Sequence, residues 1–344
     1  MMSRLPNKGK GIAVIGAGSW GTTLANLLAE KEERVHLWIF EEDLFRSMTE
    51  KRENEVFLPG VHLSERILFT HSLEEAVLDK EILVCAVPSH VVREVFMRAR
   101  AFIRNGVLIV TATKGLEDGT CKTMSDVLGE VLASVSGTEI ACLSGPSFPK
   151  EVSRRIPAAV AAAGTGAQSA KKVQDLFSRS YFRVYTNPDL LGIELGGAMK
   201  NVMAIAAGAS DGLGFGHSSR AALITRGLAE MTRLGVKMGA EGRTFSGLAG
   251  LGDLVLTCAG DLSRNRQVGL EIGKGRKVDS ILAGMKMVAE GVRTTKVLWD
   301  LSRQKKVEMP ISEKVYEILY EEKDPREAVG ELMSREKKSE REPF

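Results

Sequence analysis

GIAVIGAGSWGTTLANLLAEK, residues 11–31, falls into three parts. Residues 12–15 are a short apolar run between glycines, the pattern of a strand buried on both faces. Residues 22–31 carry apolar side chains at helical spacing. Between them stands Gly16-Ala17-Gly18-Ser19-Trp20-Gly21. In a GxGxxG loop the first glycine allows the tight turn, the second lets backbone approach a pyrophosphate, and the third lets helix and strand pack closely. The helix that follows adds N–H groups and the positive end of its dipole, both suited to phosphate. A lone GxGxxG is a weak signal. Here a second strand at residues 34–39 follows the helix directly, and Glu41 and Glu42 stand at its end, 20 and 21 residues after Gly21. A carboxylate there accepts from adenosine ribose hydroxyls. Strand, loop, helix, strand and acid in that order predict a dinucleotide-binding unit of the Rossmann type.

The alternation continues outward. Residues 66–70 read as a strand and 73–76 as a short helix; 81–87 as a buried strand ending at Pro88, with a helix over 89–101; 106–111 as the next strand. The carboxyl ends of such strands line the ligand crevice. Val87-Pro88-Ser89 is one end, a turn beside the dinucleotide, and Thr113-Lys114-Gly115 is another, placing a cation at the crevice mouth. For Lys114 the plain alternative is a solvated loop lysine. Residues 139–149 give a further strand closing in Ser144-Gly145-Pro146-Ser147, whose donors suit ligand oxygens, although Ser-Gly and Gly-Pro also mark ordinary turns. Residues 156–163 and 181–185 read as the last strands, with a helix over 168–178 between them.

After Asn187-Pro188 strand signals stop, and the remainder is helical with glycine breaks. The fold class expected is an α/β N-terminal Rossmann-type domain with a mostly parallel, doubly wound sheet, followed by an all-α C-terminal domain. The boundaries are 1–190 for the first, 191–332 for the second, and 333–344 for a charged tail that frays. The second domain opens with ELGGAMKNVMAIAAGAS, residues 194–210, a helix rich in Gly and Ala. Gly inside a helix costs roughly 1 kcal/mol relative to Ala, so several together imply that another backbone or a ligand comes very close. Lys200 and Asn201 sit in this tight setting, though a surface lysine is the common fate of the residue type. Downstream, residues 244–254 pack three glycines around Asp253, which has an ordinary reading as a helix N-cap. Ser263-Arg264-Asn265-Arg266 is a compact polar cluster; a solvated Arg pair is the bland reading, and a planar guanidinium beside Asn suits phosphate capture.

Composition sets the bounds. The 344 residues suffice for about two domains. With 44% apolar and 26% charged residues the chain is ordinary globular protein. A net charge of +3 is too small to imply nucleic acid or a membrane surface as the main partner. No apolar run approaches the roughly 18–20 residues of a membrane span, and the basic lead-in MMSRLPNKGK has no signal segment behind it. Cys85, Cys121, Cys142 and Cys258 lie far apart without metal-ligand spacing, so they read as reduced thiols of a cytoplasmic protein, and no metal is expected.

Taken together, the motifs resemble one family. Gly16 to Gly21, Lys114-Gly115, Ser144 to Phe148, Glu194 to Asn201, Gly247 to Asp253 and Ser263-Arg264-Asn265 occur in the order and spacing of bacterial NAD(P)-dependent glycerol-3-phosphate dehydrogenases, over about residues 10–325. The resemblance implies reversible hydride transfer between NAD(P)H and dihydroxyacetone phosphate, giving sn-glycerol 3-phosphate for glycerophospholipid synthesis. It implies Lys200 as general acid and base, with Asp253 and Lys114 beside it. Lys114, Gly145, Ser147, Lys200, Asn201 and Asp253 would meet the three-carbon substrate, and Ser263, Arg264 and Asn265 its phosphate. Gly16, Gly18, Ser19, Trp20, Gly21, Phe40, Glu41, Lys114, Pro149, Arg264, Val288 and Glu290 would meet the cofactor. Three departures stand out. Phe40 replaces a usual Arg or His; His217-Ser218-Ser219-Arg220 stands where Asn, a small residue and Lys are usual; Pro149 replaces a usual Ala. Arg at the end of the second strand accommodates a 2′-phosphate and an acid repels it, so Phe40-Glu41-Glu42 predicts NADH used at least as well as NADPH.

Two other readings compete. A β-hydroxyacid dehydrogenase with a helical second domain also carries a lysine on its first long helix, and would act on a carboxylate without phosphate. A nucleotide-binding sensor without turnover would be expected to lack Lys200 or Asp253, and both are present. Buried lysine should have its pKa lowered by desolvation and pushed back up by Asp253. A homodimer is the expected assembly.

Overall fold

A computed structural model describes residues 11–32, 34–285, 289–337 and 339–340. Its strands are β1 Ile12–Ile15, β2 Val35–Trp38, β3 Glu53–Asn54, β4 Leu58–His62, β5 Ile67–Thr70, β6 Ile82–Cys85, β7 Leu108–Thr111, β8 Glu139–Ser144, β9 Ala158–Gly164 and β10 Phe182–Thr186. Eight of them form one sheet in the order β10-β9-β8-β7-β6-β1-β2-β5, and β3 with β4 forms a separate antiparallel pair. The sheet is parallel except where β8 meets β9, so β9 and β10 run against the other six. β1 pairs with β2 on one side and β6 on the other. Strand order therefore reverses at β1, and a crevice opens at its carboxyl end, where Gly16 begins the glycine loop.

Alternating side chains of the strands go to opposite layers. Ile12 and Val14 pack with helix α1 (Ser19–Leu28) and with Val173 to Phe177, while Ala13 and Ile15 pack with the helices on the far face. The sheet-side helices are α2 Glu42–Lys51, α3 Leu73–Val77, α4 Val92–Ala99, α5 Met124–Val131, α6 Pro149–Ser153 and α7 Ala167–Phe177. The helix expected over 89–101 is α4 framed by two 3₁₀ turns, Ser89–Val91 and Arg100–Phe102. α2, α5, α6 and the β3–β4 pair were not expected. α2 buries only Leu44 and Met48, too sparse a pattern to stand out. α5 did carry a start signal, since Thr123 and Asp126 form a reciprocal capping box.

From Leu190 onward no strand occurs among the described residues. The helices are α8 Leu190–Gly212, α9 His217–Met238, α10 Gly242–Phe245, α11 Asp253–Ala259, α12 Arg264–Gly273, α13 Val278–Ala283, α14 Glu290–Lys305, α15 Pro310–Tyr320 and α16 Pro325–Ser334. A π-helical turn, Leu248–Gly252, leads into α11. α8 starts earlier than expected because Asp189 caps it, accepting from Gly192 N at 2.8 Å. Contrary to the expectation from sequence, α8 is long and apolar enough to cross a membrane; 83% of its most apolar window is buried inside the protein, which is how a core helix reads.

The small residues of α8 serve two partners, where only the cofactor side was expected. A Cβ at Gly197 would lie 2.7 Å from Ser144 Oγ on the sheet, and one at Gly196 would lie 2.6 Å from the Ala249 carbonyl oxygen. Its far half meets α12 backbone to backbone. Cβ atoms at Gly208 and Gly269 would each fall 2.0 Å from a carbonyl oxygen of the opposite helix, Arg266 and Ile205 respectively.

Candidate active site

Lys200 lies on the buried length of α8, and its Nζ donates to Asp253 Oδ1 at 2.5 Å and to Thr257 Oγ1 at 2.8 Å. Lys114, from the loop after β7, donates to the other oxygen of the same carboxylate, Oδ2, at 2.6 Å, and to the Gly145 carbonyl at 3.0 Å. Asp253 is therefore no N-cap: it is the first residue of α11, with Gly252 in the cap position, and its side chain bridges two lysines from the two halves of the chain. Burial drives Lys200 down to about 8, with Asp253 opposing and Lys114 adding to the fall. Burial also works to raise Asp253, but Lys114 and Lys200 outweigh it and hold the carboxyl below its ordinary range. Thr257, one turn beyond Asp253, was missed from the sequence. It donates to the Asp253 carbonyl at 2.6 Å, leaving an oxygen lone pair for Lys200. The spacing of four on one helix was the available signal.

The strand-end loop after β8 faces the same cluster. Gly145 takes φ +145, and a Cβ there would lie 2.9 Å from Val160 Cα. Its carbonyl accepts from both Lys114 and Ser147 Oγ, so Ser147 is engaged within the loop. Ser144 Oγ is buried without a partner.

The glycine loop fits a dinucleotide. Gly16 has φ +113, a Cβ at Gly21 would sit 1.9 Å from the Gly16 carbonyl oxygen, and Gly18 faces open space. No side chain caps the start of α1, which begins at Ser19 and leaves its first N–H groups for another acceptor. Trp20 Nε1 is a buried donor without a partner. Phe40 is exposed beside Trp38, and Glu41 stands at the N-cap position of α2 with Glu42 following. Pro149 opens α6, its carbonyl within 3.4 Å of Thr23 Oγ1 on α1. Glu290, first residue of α14, reaches the sheet: its carboxylate accepts from Ser89 N at 3.0 Å and from Ser89 Oγ at 2.6 Å. Val288 lies outside the described residues.

The polar cluster at the start of α12 divides its labour. Ser263 is the N-cap, accepting from Arg266 N at 3.2 Å. Arg266 is neither solvated nor aimed at a ligand; it is buried and paired with Asp211 at 2.7 Å and Asp261 at 2.9 Å. Asn265 is a strut, donating to Asn201 Oδ1 at 2.9 Å and accepting from Gly291 N at 2.9 Å. Arg264, in the first turn, reaches solvent, while nearby protein lowers its pKa against the pull of Glu290. The first-turn N–H groups of a helix with a guanidinium beside them suit an anion. Arg220 pairs with Asp211 at 2.7 Å, which accounts for a cation after the departing His217-Ser218-Ser219 segment.

Neither half completes this arrangement alone. The sheet brings a glycine loop suited to phosphate and Lys114; the helices bring a lysine whose burial lowers it to about 8 and an anion-suited helix end. This division is that of a nicotinamide-dependent oxidoreductase, in which the protein positions substrate and manages protons. The chain matches the models for the NAD-dependent glycerol-3-phosphate dehydrogenase N-terminus over residues 11–170 and C-terminus over residues 189–330. It is 55% identical over 329 residues to a glycerol-3-phosphate dehydrogenase (NAD(P)+) of Citrifermentans bemidjiense, covering 96% of this chain and 98% of that one. It is 55% identical to the enzyme of the same name from Geobacter metallireducens, covering 97% and 99%. A crystal structure of glycerol-3-phosphate dehydrogenase from Coxiella burnetii superposes with a TM-score of 0.91 at 39% identity, covering 95% and 99%. The chain belongs to the NAD-dependent glycerol-3-phosphate dehydrogenase family.

Proposed function

We propose that the chain interconverts dihydroxyacetone phosphate and sn-glycerol 3-phosphate with NAD(P)H, Lys200 moving the proton at the C2 oxygen and the product serving glycerophospholipid synthesis. The observation that carries this is a buried lysine at about 8, held by Asp253 at the crevice of a dinucleotide-binding sheet. The bound dinucleotide supplies or accepts the hydride at C2. An ammonium has three donors, and Lys200 uses two of them, on Asp253 and Thr257. The third is left to stabilise and then protonate the ketone oxygen; in the reverse direction neutral Lys200 takes the hydroxyl proton. Lys114 likewise has one donor beyond Asp253 and Gly145, suited to a substrate oxygen. Arg264 and the first turn of α12 hold the phosphate, with Asn265 contributing backbone, since its side chain braces Asn201 and Gly291. Gly145 and Ser147 shape the opposite wall. Gly16, Gly18, Ser19, Trp20 and Gly21 take the pyrophosphate side, with Pro149 and Glu290 at the edges.

The test is NADH oxidation with dihydroxyacetone phosphate by the wild type and Lys200→Ala. Turnover by the wild type with a loss of at least ~10²-fold in kcat and unchanged NADH affinity in the variant is expected. Near-normal turnover by Lys200→Ala would remove the lysine from this role, and preference for a carboxylate substrate without phosphate would overturn the substrate. On the cofactor, exposed Phe40 and the carboxylates of Glu41 and Glu42 offer a 2′-phosphate no cation from the end of β2. NADH should therefore match or exceed NADPH in kcat/KM, and a strong NADPH preference would refute this. A homodimer is the assembly we infer, as the commonest closed arrangement of soluble enzymes.

A further inference from the structure

Glu194 is buried on α8, six residues before Lys200, and has no ion-pair partner among the described residues. Its carboxylate instead crosses to the sheet side. It accepts from Ser125 N at 2.8 Å and from the Ser125 hydroxyl, in the first turn of α5. That end of α5 is already capped by Thr123, so Glu194 takes the next free donors. Along the stretch from Glu194 to Lys200, Leu195, Ala198 and Met199 pack into the apolar core of the helical half, and the glycines make close contacts with the sheet side and the turn before α11. Gly196 lies on Ala249 and Gly197 on Ser144, whose hydroxyl has no bonding partner. Apolar and glycine contacts are non-directional and do not by themselves key α8 to the start of α5. A directional, charge-assisted bond does. At 1.5 Å per residue the two positions are about 9 Å apart on a rigid helix, so a shift at Glu194 is passed to Lys200 undiminished.

We propose that Glu194 is a positioning residue for Lys200: bound to Ser125 at the amino end of α5, it sets the axial position of α8 and so places Lys200 Nζ against Asp253 and Lys114. This rests on the reading of Lys200 as the proton donor. The groups facing the carboxylate are Thr123 and Asp126 with Ser125 on the α5 side and Cys142 on β8; Lys200 and Lys114 lie beyond. Burial raises Glu194 to about 7, with the Ser125 bonds opposing and Asp126 adding to the rise. Cys142 is raised well above its ordinary value by burial first and by Glu194 second, so it stays neutral across the useful range.

The test compares wild type, Glu194→Gln and Ser125→Ala in ketone reduction from about pH 6 to pH 9. Wild-type kcat should fall as pH drops through about 7. Glu194→Gln should lose ~10- to 100-fold in kcat, the scale of a small misplacement, with KM for NADH unchanged and that acid limb gone. Ser125→Ala should move the limb to higher pH, because it removes a bond to the charged form; this variant serves if Glu194→Gln does not fold. Amine labelling of Lys200 by acetic anhydride, read by mass spectrometry, reports the same placement without turnover. Its titration should rise from about 8 toward the ordinary lysine value in Glu194→Gln as Nζ leaves its buried post. If wild type does not reduce the ketone phosphate, the reaction assigned above fails while the labelling result still judges Glu194. Unchanged labelling, or a Ser125→Ala limb that stays in place, would overturn the proposal.

Discussion

Lys200 and Arg264 are both cations in contrasting surroundings, which suit them to the different tasks proposed for them. Lys200 is enclosed, and desolvation brings it to about 8 despite the carboxylate beside it. A proton donor must be charged before it acts, so ketone reduction should decline as pH rises through about 8, while alcohol oxidation, which needs neutral lysine, should rise over the same window. Initial rates in both directions across pH check this, and parallel profiles would contradict it. Arg264 reaches solvent at the start of α12 and stays charged throughout. Arg264→Ala should mainly raise KM for the phosphate ester, by about 10- to 100-fold, the worth of a charge-assisted hydrogen bond of about 1.5–3 kcal/mol. An unchanged KM would move the phosphate site elsewhere. Arg266, two residues on, carries the same side chain but is spent on Asp211 and Asp261. No local pattern separates the two; only their place around the helix axis does.

At the scale of elements, α8 holds the two halves together. Its first turns press on the sheet through Gly197 and its last on α12 through Gly208, Gly212, Gly269 and Gly273. Against α12 the obstructing atoms are main-chain carbonyls, which cannot rotate away as side chains do. Gly269→Ala should therefore destabilise the fold by about 1–3 kcal/mol, the usual range for overpacking, read as a lower urea midpoint at constant slope. A variant as stable as the wild type would show that the helices separate without cost. The glycines of α8 were legible in the sequence as a mark of close approach, but their division between sheet and α12 was not. It depends on which helix, 60 residues later, crosses at which angle.

For the whole molecule, polar bridges that tie the sheet side to the helices include Lys114 to Asp253, Ser89 to Glu290, and Ser125 to Glu194. Each joins residues distant in sequence, and each lies at a strand end or a helix start. The local signals singled out Lys114, Lys200, Asp253 and Arg264 as candidates. They did not tell that Asp253 is shared by two lysines, that Ser89 is held by Glu290, or that Asn265 braces Asn201.

The sequence by itself determined the sheet, its glycine loop and the change to helices after residue 190, because those follow from periodicity and glycine placement within short windows. It also determined the family, through motifs whose order survives without any structure. The tertiary structure decided what polar side chains spend their bonds on: Lys200 set near 8, Arg266 withdrawn into an ion pair, Asn265 bracing Asn201, Glu194 strapped to α5. The physical reason is that the deciding partners, such as Asp253 for Lys200, Ser125 for Glu194 and Glu290 for Ser89, lie 53 to 201 residues away in sequence, and desolvation depends on them too; no local window contains them.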